Sequence, residues 1–276
     1  MSCAALPAPA HPGAIGGAGV GLGAAPGGAR LRHLFQAAPL RALFPVTDPG
    51  DPTLGALVNV AGGLAGGDAS ATRLELERDA RFTATTPAAE KIYRSLGAET
   101  HIAADLTIGK DACCEWLPQE TILFDGARLR RRIDIALAPG ARLLAAEMLV
   151  LGRAARGETL TQGTVLDRWR IRGAGRLVWA DSLRIDDPTV ALGTRFALPG
   201  TGALATLLLA APDAAAHRAT ARDMADGAAS LVAPGLLVAR WMGEASAVRA
   251  ALGAAIMALR QAAFGHPARL PRLWRT

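Results

Sequence analysis

The chain has 276 residues, 51% hydrophobic and 20% charged, enough for one large core or two small ones without disulfide or metal staples. Its formal charge of +6 at pH 7 raises nucleic acid as a partner, but aromatic residues are only 4% and the arginines are dispersed. The densest group, Arg128, Arg130, Arg131 and Arg132, has no interleaved rings for stacking bases, so an acidic protein partner suits the charge better than nucleic acid.

Three cysteines, Cys3 and the neighbouring Cys113 and Cys114, make no disulfide framework, which favours a reducing cytoplasm. No run approaches the roughly 18 apolar residues of a membrane span. The N-terminus lacks the basic and apolar regions of a secretory signal.

In chain order, residues 1–28 read as a flexible tail rich in Ala, Gly and Pro, and residues 29–276 as a single domain. Order is expected to begin near Arg30. From there to about Ile185 the hydrophobic pattern has period two. Thr72, Leu74 and Leu76 alternate with Arg73, Glu75 and Glu77. Ile102, Ala104, Leu106 and Ile108 alternate with Ala103, Asp105 and Thr107. Leu129, Ile133 and Ile135 lie opposite Arg130, Arg132 and Asp134. Turn signals separate these runs at Gly109-Lys110-Asp111, Pro139-Gly140 and Gly173-Ala174-Gly175, the last framed by Trp169 and Trp179 as a hairpin with an aromatic pair. Such strands with short turns predict a mainly antiparallel β architecture. The last third changes character: Asp213 to Asp226 is Ala-rich, and Glu244 to Phe264 spaces Val248, Leu252, Ile256, Leu259 and Ala263 as an amphipathic helix stopped by Gly265. The expected class is β with a few C-terminal helices.

Four segments carry the candidate chemistry. AGGLAGGD (Ala61 to Asp68) fails as a phosphate loop, because it ends in a carboxylate instead of Gly-Lys-Ser/Thr, and it lacks the spacing of a dinucleotide fingerprint. Two readings remain for it: tight bends with Asp68 as their cap, or glycines admitting close backbone approach while Asp68 faces a polar interior route. TTPAAEKIYRS (Thr85 to Ser95) brings Glu90, Lys91 and Arg94 together around Tyr93 if helical. That is either a surface ion-pair cluster or a docking surface. LPQETILFDGAR (Leu117 to Arg128) is a short buried strand with Glu120 and Asp125 at its ends. EMLVLGRAARGE (Glu147 to Glu158) runs from Glu147 into a polar turn with Arg153 and Arg156.

The five histidines are isolated, no Cys-x-x-Cys occurs, and Cys113 and Cys114 read as inert core residues, so no tight metal site is visible. Carboxylates with water hold a divalent ion weakly and exchange it readily. No nucleophile elbow, Cys-His pairing or His-Glu-x-x-His is present, so an enzyme is not expected.

These four segments, in this order, resemble the UreD (UreH) family of urease accessory proteins, clearly over Arg30 to Asp186 and faintly beyond. The resemblance implies a helically wound β fold and a cytoplasmic scaffold that docks with UreF, the GTPase UreG and apo-urease, with no nucleic acid and no membrane. It further implies nickel in transit along an internal polar route, with no tightly bound cofactor. Carried onto this sequence, it makes Asp68, Glu90, Glu120, Asp125 and Glu147 candidates for the route, and Lys91, Tyr93, Arg94, Arg153 and Arg156 candidates for docking. Asn59-Val60 stands where some relatives carry His-Thr. The alternative is a β-rich docking module that carries no metal; a hydrolase with a dispersed site is a third reading.

Overall fold

The computed structural model describes residues 16–225 and 228–275. Two sheets dominate it. Sheet A runs, in spatial order, β15 (Arg176–Ile185), β14 (Thr164–Gly173), β11 (Arg128–Leu137), β8 (Thr100–Ile108), β5 (Ala69–Leu76), β1 (Gly16–Ala25) and β2 (Gly28–Ala37). Sheet B runs β17 (Ala229–Ala233), β18 (Leu236–Gly243), β16 (Ala203–Ala210), β12 (Arg142–Arg153), β9 (Cys113–Leu117), β6 (Arg81–Thr85), β4 (Thr53–Asn59) and β3 (Leu40–Leu43). Beside β12 lie β10 (Thr121–Leu123), β7 (Glu90–Ile92) and β13 (Glu158–Thr159).

From β4 to β14 the chain alternates between the sheets, β5, β8, β11 and β14 falling in A and β4, β6, β9 and β12 in B. Each revolution therefore lays a strand parallel to its predecessor: β5, β8, β11 and β14 pair in parallel, as do β4, β6, β9 and β12. The result is a mixed, coiled pair of sheets, with antiparallel pairs at the flanks. The expected antiparallel architecture is thus corrected. Period-two alternation records only that one face is buried, and a coil buries one face of each parallel strand as well as a hairpin does. The turns at Gly109-Lys110-Asp111 and Pro139-Gly140 carry the chain from A to B, whereas Gly173-Ala174-Gly175 closes a hairpin within A. In that hairpin Trp179 stands opposite Ile171 and Trp169 opposite Asp181, so the two indoles are not register partners.

The tail boundary at Gly28 is also corrected, since Gly16–Ala25 is β1. Ala18, Val20 and Leu22 are buried, while the intervening glycines allow close approach; a Cβ on Gly16 would lie 2.2 Å from Pro39 Cδ. Residues 1–15, Cys3 among them, lie outside the described residues.

The C-terminal helix forms where its periodicity places it, as α3 (Ala245–Phe264), after α1 (Pro188–Gly193) and α2 (Arg218–Met224). Glu244 caps it by accepting from Ala247 N at 3.0 Å, and Gly265 ends it in the left-handed conformation at φ 66°. Val248, Leu252, Ile256, Leu259 and Ala263 bury against the outer face of sheet B. Length and mean hydropathy (1.2) would allow this helix to cross a membrane. Half of it is instead buried on the sheet, and its Arg260 donates to Glu115 Oε1 at 2.8 Å. The last third also supplies β16, β17 and β18, which the sequence pattern does not reveal.

Leu252 is fully buried between α3 and sheet B. Leu252→Ala should destabilise the fold by about 2–5 kcal/mol in urea titrations, through lost transfer energy and a residual cavity.

Candidate functional site

The space between the sheets is divided in two by charge. One apolar core takes Ile133 and Ile135 from β11, Trp169 and Ile171 from β14, and Leu143 and Ala145 from β12. A second takes Leu129 from β11, Val165 from β14, and Leu149 and Leu151 from β12. The inward positions between them are Arg131, Asp167 and Glu147. Register aligns the layer, with Arg131 beside Asp167 in sheet A and Glu147 beside Thr206 in sheet B.

Arg131 binds Asp167 through two parallel bonds, Nε to Oδ1 at 3.0 Å and Nη2 to Oδ2 at 2.5 Å. Its Nη2 also lies 2.6 Å from Glu147 Oε2, and Nη1 donates to Thr121 Oγ1 at 3.1 Å. Trp169 Nε1 donates to Glu147 Oε2 at 2.9 Å. The Asp167 side chain is 2% exposed and that of Arg131 9%. Burial pushes the Glu147 carboxyl well above the usual carboxylate range; Arg131 opposes this shift, and the neighbouring Asp167 adds to it. Arg131 is held charged, its burial being outweighed by the two carboxylates.

Cavities flank the layer. One, of about 100 Å³, is lined by Glu90, Asn59, Thr121, Trp116, Arg131 and Glu147 among others. Trp116, which helps line it, has a buried Nε1 without a hydrogen-bond partner, and the volume accommodates several waters. The other, of about 520 Å³, is lined by Glu147, Asp167, Trp169, Leu198 and Trp241, with Arg240 and Asp181 paired across the sheets at 2.6 Å. Glu147 borders both.

The five route candidates separate accordingly. Glu90 and Glu147 share the smaller cavity. Glu90 accepts both bonds of Asn59 Nδ2 (2.9 and 3.1 Å), and burial raises its carboxyl despite them. Asp68 caps its glycine turn by accepting from Ala65 N at 2.7 Å. Asp125 accepts from Thr161 N, Thr161 Oγ1 and Gln162 N; burial raises its carboxyl, but these bonds prevail and hold it below the usual range. Glu120 is paired with Arg249 of α3, whose guanidinium lies over the Trp274 ring. Among the described residues, no group of three or more His, Cys, Asp or Glu is arranged to hold a metal.

The docking candidates gather where the four sequence segments converge. β7 pairs with β10 and β10 with β12, both in parallel. Glu90–Ile92 is a strand, which corrects the helical clustering considered for that segment. Tyr93 donates its hydroxyl to Gly62 O (3.0 Å) and meets the Phe124 ring edge-on at 5.0 Å. A Cβ on Gly63 would lie 2.5 Å from that tyrosine, so the glycine run also serves close approach. Arg153 stacks on Phe124 at 4.1 Å and is clamped by Glu158. Arg94 lies along Gly126, and Lys91 and Arg156 are exposed near them, with Leu96 wholly exposed.

Arg131 and Asp167 were absent from the sequence candidates. Their signal is phase: Arg131 shares the parity of Leu129 and Ile133, and Asp167 that of Val165 and Trp169, so both are charged residues on an inward face. A second buried group was missed likewise. Glu115, 1% exposed, accepts from Arg260 and Thr83 and meets His266 Nδ1 at 2.9 Å. Burial raises its carboxyl, yet His266 and Arg260 together hold it below the usual range. Cys113 and Cys114 are both buried, and burial raises both thiols, as fits inert core residues.

Fold and site define a coiled two-sheet β protein divided by a buried ionic layer. The sequence matches the family described as UreD urease accessory protein over residues 15–275, well past the span from Arg30 to Asp186. It is 48% identical over 237 residues to the urease accessory protein UreD of Granulibacter bethesdensis, covering 84% of this chain and 99% of that protein. Over 259 residues it is 42% identical to UreD of Magnetococcus marinus, covering 90% and 89%. The chain belongs to the UreD family of urease accessory proteins.

Arg131→Met leaves two buried carboxylates without their cation and should destabilise by about 3–5 kcal/mol in urea titrations. The pH dependence follows from opposite shifts. Between the ordinary value of 4.5 and its raised value, folded Glu147 keeps a proton that the unfolded chain has lost, so its contribution falls as pH rises. Glu115 acts in reverse, contributing stability above 4.5 that is lost on acidification. Glu147→Gln should flatten the decline on the alkaline side in stability measured from about pH 5 to pH 8.

Proposed function

We propose that this chain is a non-catalytic cytoplasmic scaffold of urease maturation that binds UreF, UreG and apo-urease and lets nickel pass through the polar layer between its sheets. The observation that carries the route is Glu147, which borders both the Glu90 cavity and the larger groove. Oxygen ligands without thiolate or imidazole suit an ion that must leave again. A buried carboxyl that holds its proton releases it when a dication arrives, so loading is coupled to proton release. Asp68 and Asp125 then serve by fixing the loops of the docking end, and Glu120 by anchoring α3. Docking falls to the Tyr93, Phe124 and Arg153 stack with Lys91, Arg94 and Arg156 around it, since rigid aromatic and arginine groups anchor interfaces.

The docking-only alternative has its own support: Arg131 already occupies the cation's place beside Glu147 and Asp167. Nickel content separates the two. In cells assembling urease, Glu90→Gln and Glu147→Gln should each lower nickel per urease active site while UreF, UreG and apo-urease still co-purify. Full nickel loading in both variants overturns the route and leaves a scaffold without metal.

A further inference from the structure

The outward positions of β11 and β14 form a lattice of arginines on sheet A. Arg128, Arg130 and Arg132 alternate along β11, and Arg168, Arg170 and Arg172 along β14. The strands are paired, with Arg132 in register with Arg168. The arginine backbone positions thus recur at about 6.6 Å along each strand, and those of Arg132 and Arg168 lie about 4.8 Å apart across the pair. Like charges directly opposite destabilise a sheet, so the Arg132 and Arg168 pair is not what folding alone would select, whereas Arg170 stands opposite Asp134. The β11 arginines are partly braced: Arg130 holds Glu99, and Arg132 holds Asp105 and Asp134. Among the described residues, Arg168, Arg170 and Arg172 form no ion pair.

A shallow dent of about 60 Å³ opens over β8 beside the braced row, lined by Arg130, Arg132 and His101 with alanines at 69, 71 and 103, and Arg168 is the β14 residue that reaches it. One water needs roughly 10–15 Å³ by the same measure, so a carboxylate on its methylene fits. We infer that this face is the docking surface for an acidic protein partner, with an Asp or Glu side chain seated in the dent between Arg132 and Arg168. Charge complementarity commits it to protein. Asp105 and Asp134, set among the arginines, would repel a continuous row of phosphates, and the exposed Leu177 and Val178 beside Arg172 and Arg176 give the mixed apolar and arginine surface of protein interfaces. The six lattice positions include no ring on which bases could stack.

The inference rests on the scaffold reading for its partner but not on any passage of metal. Binding of the full chain to a Glu-rich peptide, and to purified UreF, UreG and apo-urease, would be measured for wild type, Arg168→Gln/Arg170→Gln and Arg168→Glu/Arg170→Glu. With folding confirmed by unchanged thermal midpoints, the neutral pair should weaken binding of the peptide and of one component, and the reversed pair by about tenfold or more. Wild-type affinity in the neutral and reversed pairs overturns the assignment, as does tighter binding of the wild-type chain to duplex DNA or anionic vesicles than to the peptide. Failure of the metal route would show separately, as full nickel loading with Glu90→Gln and Glu147→Gln while this charge-dependent binding persists.

Discussion

A single guanidinium, that of Arg131, sits between two carboxylates in the middle of a β coil, and the interior is organised around it. Removing the charges of Arg131 and Asp167 from water costs several kcal/mol per ion, recovered only if geometry is good and every lone pair has a partner, while burial keeps the proton on Glu147. The twofold bond to Asp167, the contact with Glu147, and the hydroxyl and indole groups of Thr121 and Trp169 supply that geometry. Apolar side chains cannot close over such a layer, so the core is split into two and cavities remain on either side. The cavities are therefore a consequence of where Arg131, Asp167 and Glu147 fall in a period-two pattern.

The same coil explains how distant segments reach one end of the molecule. Each revolution returns the chain to sheet B, so Ile92, Leu123 and Leu151 come to lie side by side across β7, β10 and β12. Leu64 joins them through a bridge to Ile92. The loops leaving those strands are held by Asp68, Asp125 and Tyr93, each bonding to backbone. Side chains read in the sequence as chemistry turn out to be the supports on which Phe124, Arg153 and Arg94 are displayed. Only Glu90 and Glu147 retain a place along the interior.

Much of this was legible. Strands β5, β8 and β11, the β14–β15 hairpin, the C-terminal helix and its Gly265 stop follow from periodicity and capping. Strands β10 and β12 follow from their short apolar runs, whereas the β7 segment reads as a helical cluster. Pairing direction does not: a turn of Gly-Lys-Asp serves a hairpin or a step between sheets equally well, and the difference lies in contacts remote in sequence. β1 was hidden by composition, because glycine at every other position hides an alternating Ala18, Val20 and Leu22. β16 and β18 are covered on both faces, so their near-continuous Leu and Ala runs lack the alternation that marks a half-buried strand. Arg131 and Asp167 were visible in phase but are obscured by neighbours of like type, since Arg130 and Arg132 flank the first and arginines recur around the second.

The central claim is that Arg131 and Asp167 act as one unit dividing the core. A double-mutant cycle with Arg131→Met and Asp167→Asn, read from urea unfolding at neutral pH, tests it most directly. A unit gives a coupling energy on the order of 2 kcal/mol, the double variant losing far less than the two single losses together. Additive losses, within about 0.5 kcal/mol, would mean that the two residues are independent and that no ionic layer organises the interior.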